Sequence, residues 1–141
     1  MQVIQPNGTT TICQASSHKY PLDIYGASGA LVGTTMVICG GYNSDDEITY
    51  SACYSFSNDN QWRNLTKMST PRYRSSAISV SDGIWVTGGE DSNDKVLDSS
   101  EFIVLKGSRE DGPALPKPRC GQCVVEYGGV VVLMDDKNMV M

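Results

Sequence analysis

Hydrophobic positions along this chain come in short runs of four to seven residues, rich in Val, Ile, Tyr, Phe and Trp and separated by polar turns. Runs of that length and composition predict β-strands and leave no room for helices of useful length. Two of them end in a glycine pair: Met36-Val37-Ile38-Cys39 runs into Gly40-Gly41, and Ile84-Trp85-Val86-Thr87 runs into Gly88-Gly89. The pairs are 48 residues apart and their surroundings keep the offset, with Tyr54 13 residues past Gly41 and Phe102 13 past Gly89. The chain is therefore read as a repeat.

The first unit holds Ala30-Leu31-Val32, the run into Gly41, and Ser51 to Phe56. The second holds Ala77 to Val80, the run into Gly89, and Ser99 to Val104. Pro71-Arg72 recurs 47 residues on as Pro118-Arg119, followed by Cys123-Val124-Val125 and Val130 to Met134, with Asp135-Asp136 where a third glycine pair would stand. Within a unit the first two runs are parted by Gly33-Thr34-Thr35, Ser81-Asp82-Gly83 or Tyr127-Gly128-Gly129. Glycine there predicts hairpin turns at positive φ. The polar stretches 42–49 and 90–97, rich in acidic residues and asparagine, predict surface loops. A fourth strand is expected around Gln61-Trp62-Arg63-Asn64-Leu65. Its counterpart in the second unit falls on Arg109 in a polar segment, so the pattern does not mark an outer strand there.

Hydrophobic strand, Gly-Gly, polar loop, Tyr54, Trp62 and then Met68-Ser69-Thr70-Pro71-Arg72 is an order that resembles the kelch repeat. Such repeats run to about 50 residues, each forming one four-stranded blade of a β-propeller. The resemblance covers about residues 20 to 136. It implies an all-β chain, a partial kelch-type β-propeller with four-stranded antiparallel blades. Residues 20–68 would be repeat 1, 69–116 repeat 2 and 117–141 the start of repeat 3, with 1–19 as the outer part of a preceding blade. A ring needs at least about four blades, so the chain is expected to be a piece of a larger protein, with exposed sheet edges.

Eleven basic against 16 acidic side chains give a net charge of −5. That balance argues against nucleic acid or anionic lipid as partner. No apolar run reaches the length of a membrane span, and Met1-Gln2-Val3-Ile4-Gln5-Pro6 lacks the basic and apolar regions of a signal peptide.

Five cysteines are many for 141 residues. Cys39 and Cys53 are symmetric about residue 46 and map at offset 48 to Thr87 and Glu101, so one unit has both and the next has neither. Joint presence and absence predicts a disulfide across adjacent strands; the alternative is two buried thiols packed as small hydrophobes. A bridge tilts the protein toward the secretory route, with the cytoplasm as the alternative. The sequons Asn7-Gly8-Thr9 and Asn64-Leu65-Thr66 point the same way. Cys120 and Cys123 have the spacing of half a zinc site, but with no second such pair and only His18 as histidine, no metal is expected.

An enzyme reading finds no nucleophile, base or cofactor loop. His18 has no serine and aspartate that the repeat would bring to it. The run Gly26-Ala27-Ser28-Gly29-Ala30 lacks the strand-turn-helix context of a nucleophile elbow and reads as the opening of a strand. Each glycine pair leads into an acidic loop and not into a helix, so no phosphate-binding loop follows. No cofactor is expected. The rival is a secreted galactose-oxidase-like or carbohydrate-related propeller whose catalytic residues lie outside this chain, since copper there needs more histidines than one.

Binding is the remaining class. The segment Pro71-Arg72-Tyr73-Arg74-Ser75-Ser76 resembles the one from which kelch adaptor proteins project arginine and serine onto a peptide-binding face. The resemblance implies a non-enzymatic protein-binding module. Arg74 and Tyr73 would be contact residues, and Arg119 their counterpart in the next blade, for a protein or peptide partner with acidic groups. The blander reading of Arg72 and Arg119 is that they cap the approach to each blade through backbone or carboxylate contacts. Trp62 and Trp85 are expected in the packing between blades.

Overall fold

A computed structural model describes residues 19–134 in full, and the backbone of residues 2–4, 10–12 and 139–140. Among these residues there is no helix, and every strand pairing is antiparallel. An N-terminal hairpin pairs β1 (Gln2–Ile4) with β2 (Thr10–Ile12). The first four-stranded sheet takes β3 (Ser28–Val32), β4 (Thr35–Cys39), β7 (Cys53–Phe56) and β8 (Trp62–Asn64) in that order. Between β4 and β7, a small hairpin of β5 (Tyr42–Asn43) and β6 (Ile48–Thr49) gives structure to a stretch whose polarity had marked only a loop.

The second sheet repeats the order with β9 (Ser76–Val80), β10 (Gly83–Thr87), β11 (Ser100–Val104) and β12 (Arg109–Asp111). Its outer strand lies in the polar segment that lacked a strand pattern. Ladder hydrogen bonds to Glu101, Phe102 and Ile103 hold it there, not apolar side chains. A third sheet has β13 (Cys123–Tyr127), β14 (Val130–Met134) and β15 (Met139–Val140). Asp135 and Asp136, expected in place of a glycine pair, lie outside the described residues, as do Cys13, His18 and Asn7.

Two of the three expected turns use glycine as foreseen: Gly33 has φ +60°, and Gly128 and Gly129 have φ +60° and +79°. The third does not. Val80 pairs with Gly83 across Ser81-Asp82, and Gly83 lies on the strand, where a Cβ would come 2.0 Å from the Ile103 carbonyl oxygen. Gly83 serves close approach of β11, not a left-handed turn.

The apolar core lies between the first two sheets. Val37, Cys39 and Cys53 of the first meet Ile84, Val86 and Ile103 of the second, with Met68 of the connecting chain beside them. All seven are 0–1% exposed. Strand alternation explains the set: along β4 and β7 the odd-numbered residues face the second sheet, while Met36, Ile38, Tyr54 and Phe56 face away and are half-buried. Trp85 packs on Phe102 with ring centroids 5.8 Å apart, and Trp62 lies 4.9 Å from Tyr20 and 4.8 Å from Phe56. Both tryptophans are half-buried.

Cys39 and Cys53 form a disulfide. They are register partners with Cα atoms 4.1 Å apart. Gly40 and Ala52 beside them carry the ladder hydrogen bond, which makes the cysteines a non-hydrogen-bonded pair with the closer side-chain spacing. The offset of 48 does not carry to the partner strand, however. Thr87 pairs with Ser100, so the counterpart of Cys53 is Ser100 and not Glu101. The second glycine-pair loop is one residue shorter.

Candidate functional site

The glycine pairs and the Pro-Arg dipeptides are two halves of one joint. Gly41 donates its N–H to the Arg72 carbonyl at 2.9 Å, and Gly89 donates to that of Arg119 at 2.7 Å. A Cβ on Gly40 would come 2.2 Å from the Arg72 oxygen, and one on Gly88 2.4 Å from the Arg119 oxygen. Only glycine admits the chain so closely, and all four glycines have positive φ.

Arg72 then reaches forward into the second sheet. Its Nη1 donates to the carbonyls of Gly88 (2.8 Å) and Ser99 (3.0 Å), and its Nη2 to the Ser99 hydroxyl (3.2 Å) and the Glu101 carboxylate (2.9 Å). Glu101 also accepts the N–H groups of Ser69 (2.7 Å) and Thr70 (3.2 Å), and Arg109 lies 3.2 Å away. Burial raises its pKa, but those N–H groups and the arginine outweigh burial and hold the carboxyl below its ordinary range. Arg72 is therefore a structural clasp through backbone and carboxylate contacts. Arg119 makes the same backbone contact one unit later and is also buried, at 6% exposure.

Arg74 is placed differently. Its backbone N–H donates to the Gly26 carbonyl at 2.8 Å, and its carbonyl accepts the Gly121 N–H at 2.7 Å. The three residues occupy one position in successive units, two residues before the first strand of each sheet. Gly26 and Gly121 have φ of +67° and +64°; Arg74 has φ +53°. Arginine thus holds a left-handed conformation where its neighbours in the repeat are glycine. Its side chain is 53% exposed, with Nη1 2.6 Å from the Glu90 carboxylate.

Around Arg74 the repeat gathers aromatic and acidic groups. Tyr25 and Tyr73 occupy equivalent positions and exchange paired backbone hydrogen bonds with Tyr42 and Glu90, the residues that follow the two glycine pairs. The Tyr42 ring lies 5.5 Å from that of Tyr25 and 5.2 Å from that of Tyr73. The Tyr73 hydroxyl sits 3.0 Å from the Glu90 carboxylate and 3.1 Å from that of Asp94. Burial and then these two carboxylates push the phenol well above its ordinary 10.0, so it keeps its proton. Tyr25 is 55% exposed, and beside it Asp23, Tyr42, Asn43 and Asp45 line a cleft of about 170 Å³.

No family model matches the chain. In an alignment 134 positions long that covers 89% of the chain, it is 26% identical to Kelch-like protein 41b of Danio rerio. It spans 22% of the length of that relative. The similarity supports a kelch-related chain and accords with all-β, four-stranded antiparallel sheets stacked in sequence order.

Of the residues singled out from the sequence, Tyr73 and Arg74 stand side by side on the partly exposed surface, while Arg119 is inside the joint. Glu90, Asp94, Tyr25 and Tyr42 complete the cluster and were not foreseen. The offset of 48 that pairs Tyr25 with Tyr73, and Tyr42 with Glu90, was the signal that could have found them. Among the described residues no group of His, Cys, Asp and Glu is arranged to hold a metal ion. Cys120 is half-buried and Cys123 is exposed.

Proposed function

We propose that this chain is a segment of a kelch-type β-propeller, two blades and the start of a third, that serves as a non-enzymatic protein-binding module. In this reading the first and second sheets are blades, residues 20–68 and 69–116, residues 117–141 begin the next, and 1–19 belong to a preceding one. The partner is a protein or peptide that lays a carboxylate against Arg74 and apolar surface against Tyr25 and Tyr73. One observation carries the proposal: an exposed arginine held left-handed where both flanking units have glycine. Backbone strain of this kind persists where the surrounding structure enforces it and clusters at ligand sites, and arginine and tyrosine concentrate binding energy.

A photo-crosslinking side chain in place of Tyr25 tests it in the complete protein. Adducts to one partner that vanish in the Arg74→Gly background support the reading. Adducts indifferent to residue 74 contradict it.

A further inference from the structure

The triplet Asn64-Leu65-Thr66 lies at the far side of the first sheet from the Arg74 site. Asn64 ends β8, the outer strand, which among the described residues pairs with β7 alone. Its side chain is exposed, and among the described residues no hydrogen bond engages its amide. The next two residues fix the backbone. Leu65 packs on the core cluster and donates its N–H to the Cys53 carbonyl at 2.9 Å, and the Thr66 hydroxyl donates to the Gly107 carbonyl.

This exposure does not come from the end of the stack. Cys39 pairs with Cys53 as Thr87 pairs with Ser100, so Tyr54 and Glu101 are equivalent, and so are their partners Asn64 and Asp111. Glu101 is 2% exposed, closed over by Ser69 and Thr70 of the chain that leaves the first sheet. Asp111, on the same face one strand further out, keeps a side chain 82% exposed. The neighbouring sheet leaves this position open, and one stacked on Tyr54 would leave Asn64 open in the same way.

A second, independent feature bears on this residue. The chain builds a disulfide between Cys39 and Cys53, and disulfides persist in oxidising compartments. Asparagine followed by any residue but proline and then by threonine is the acceptor of sugar in secreted proteins. We propose that Asn64 carries an N-linked oligosaccharide. The donor is a lipid-linked oligosaccharyl diphosphate: the bond from its reducing-end C1 to the diphosphate oxygen breaks, a bond from that C1 to Asn64 Nδ2 forms, and Nδ2 gives up one proton as the lipid diphosphate leaves. No oxidant or reductant takes part. The sugar is bulky and hydrated, and on β8 it covers the unpaired edge of the sheet, where a strand from another chain would otherwise add. The Arg74 site lies near where the first strands begin, three strand spacings or about 14 Å across the sheet, so the attachment point is clear of it.

Mass spectrometry of the complete protein purified from its own cells tests the proposal. Release with peptide N-glycosidase in heavy-oxygen water should convert residue 64 to aspartate carrying the label, read in peptides that contain it and not the sequon at Asn7. Asn64→Gln and Thr66→Ala, expressed in the same cells, should lose the modification at this position. Thr66→Ser should keep it, and because serine retains the hydroxyl that meets Gly107, this variant holds the fold while testing the acceptor triplet. Residue 64 recovered as unmodified asparagine in the mature wild-type protein, or a modification that survives Thr66→Ala, would overturn the proposal.

Discussion

Arg72 and Glu101 meet at 2.9 Å with their side chains 0% and 2% exposed, joining the chain that leaves the first sheet to the third strand of the second. Breaking such a buried pair from one side leaves an uncompensated charge, at a cost of about 3–5 kcal/mol. Glu101→Ala and Arg72→Ala should each lower the unfolding free energy by that order in urea titrations. The double variant Arg72→Met, Glu101→Leu should be less destabilised than the sum of the singles. It should not regain wild-type stability, because the N–H groups of Ser69 and Thr70 lose their acceptor.

The same carboxylate sets an acid limit. Its folded pKa is depressed below the ordinary 4.5, so its contribution is complete above that value and is lost as pH falls through the folded pKa. Stability measured by denaturant from pH 7 downward should decline below about pH 4.5. Glu101→Gln should start lower and show a shallower decline.

Gly40 and Gly33 separate backbone strain from steric approach. Both have positive φ, but a Cβ at Gly33 meets nothing within 4 Å whereas one at Gly40 meets the Arg72 carbonyl oxygen at 2.2 Å. Gly33→Ala should cost about 1–2 kcal/mol, the left-handed penalty alone. Gly40→Ala should cost about 3 kcal/mol or more, because the joint must open. Thermal unfolding of the two variants decides it.

The disulfide closes a loop with a sequence separation of 14. The chain-entropy account gives such a bridge about 3 kcal/mol. Comparing the oxidised protein with its reduced, alkylated form in urea should show a difference of that order. Both cysteines lie in the core between the sheets, at 0% and 1% exposure. Reduction of the folded protein should therefore be slow and should quicken in mild denaturant.

Strand content was legible because the apolar runs are short and repeat, and the glycine pairs fixed the unit length. The outer strand Arg109–Asp111 was not, since an edge strand is held by ladder hydrogen bonds and needs no apolar pattern. Cys39 and Cys53 were legible as a pair by symmetry about the loop. The counterpart of Cys53 was misplaced by one residue, because a single deletion in a loop shifts register without altering the pattern around it. Arg74 stood out by its surroundings, but its left-handed backbone, its hold on Glu90 and the tyrosine cluster depend on contacts between units that local sequence does not display. Arg119 was named beside Arg74 as a contact residue, yet the Pro-Arg dipeptide aligns it with Arg72, and it stands where Arg72 does and is buried.

The central claim is that Arg74 serves binding and not folding, and Arg74→Gly tests it most directly. Glycine relieves a left-handed penalty of about 1–2 kcal/mol. It also gives up an ion pair that is exposed on the arginine side only, worth about 1 kcal/mol because the Tyr73 hydroxyl still donates to the Glu90 carboxylate, and adds about 0.5–1 kcal/mol of unfolded-state freedom. Unfolding free energy should therefore stay within about 1 kcal/mol of wild type. Losing a charge-assisted contact of about 1.5–3 kcal/mol should weaken the photo-crosslinked partner about tenfold or more by calorimetry. An unchanged Kd alongside a changed stability would contradict the account.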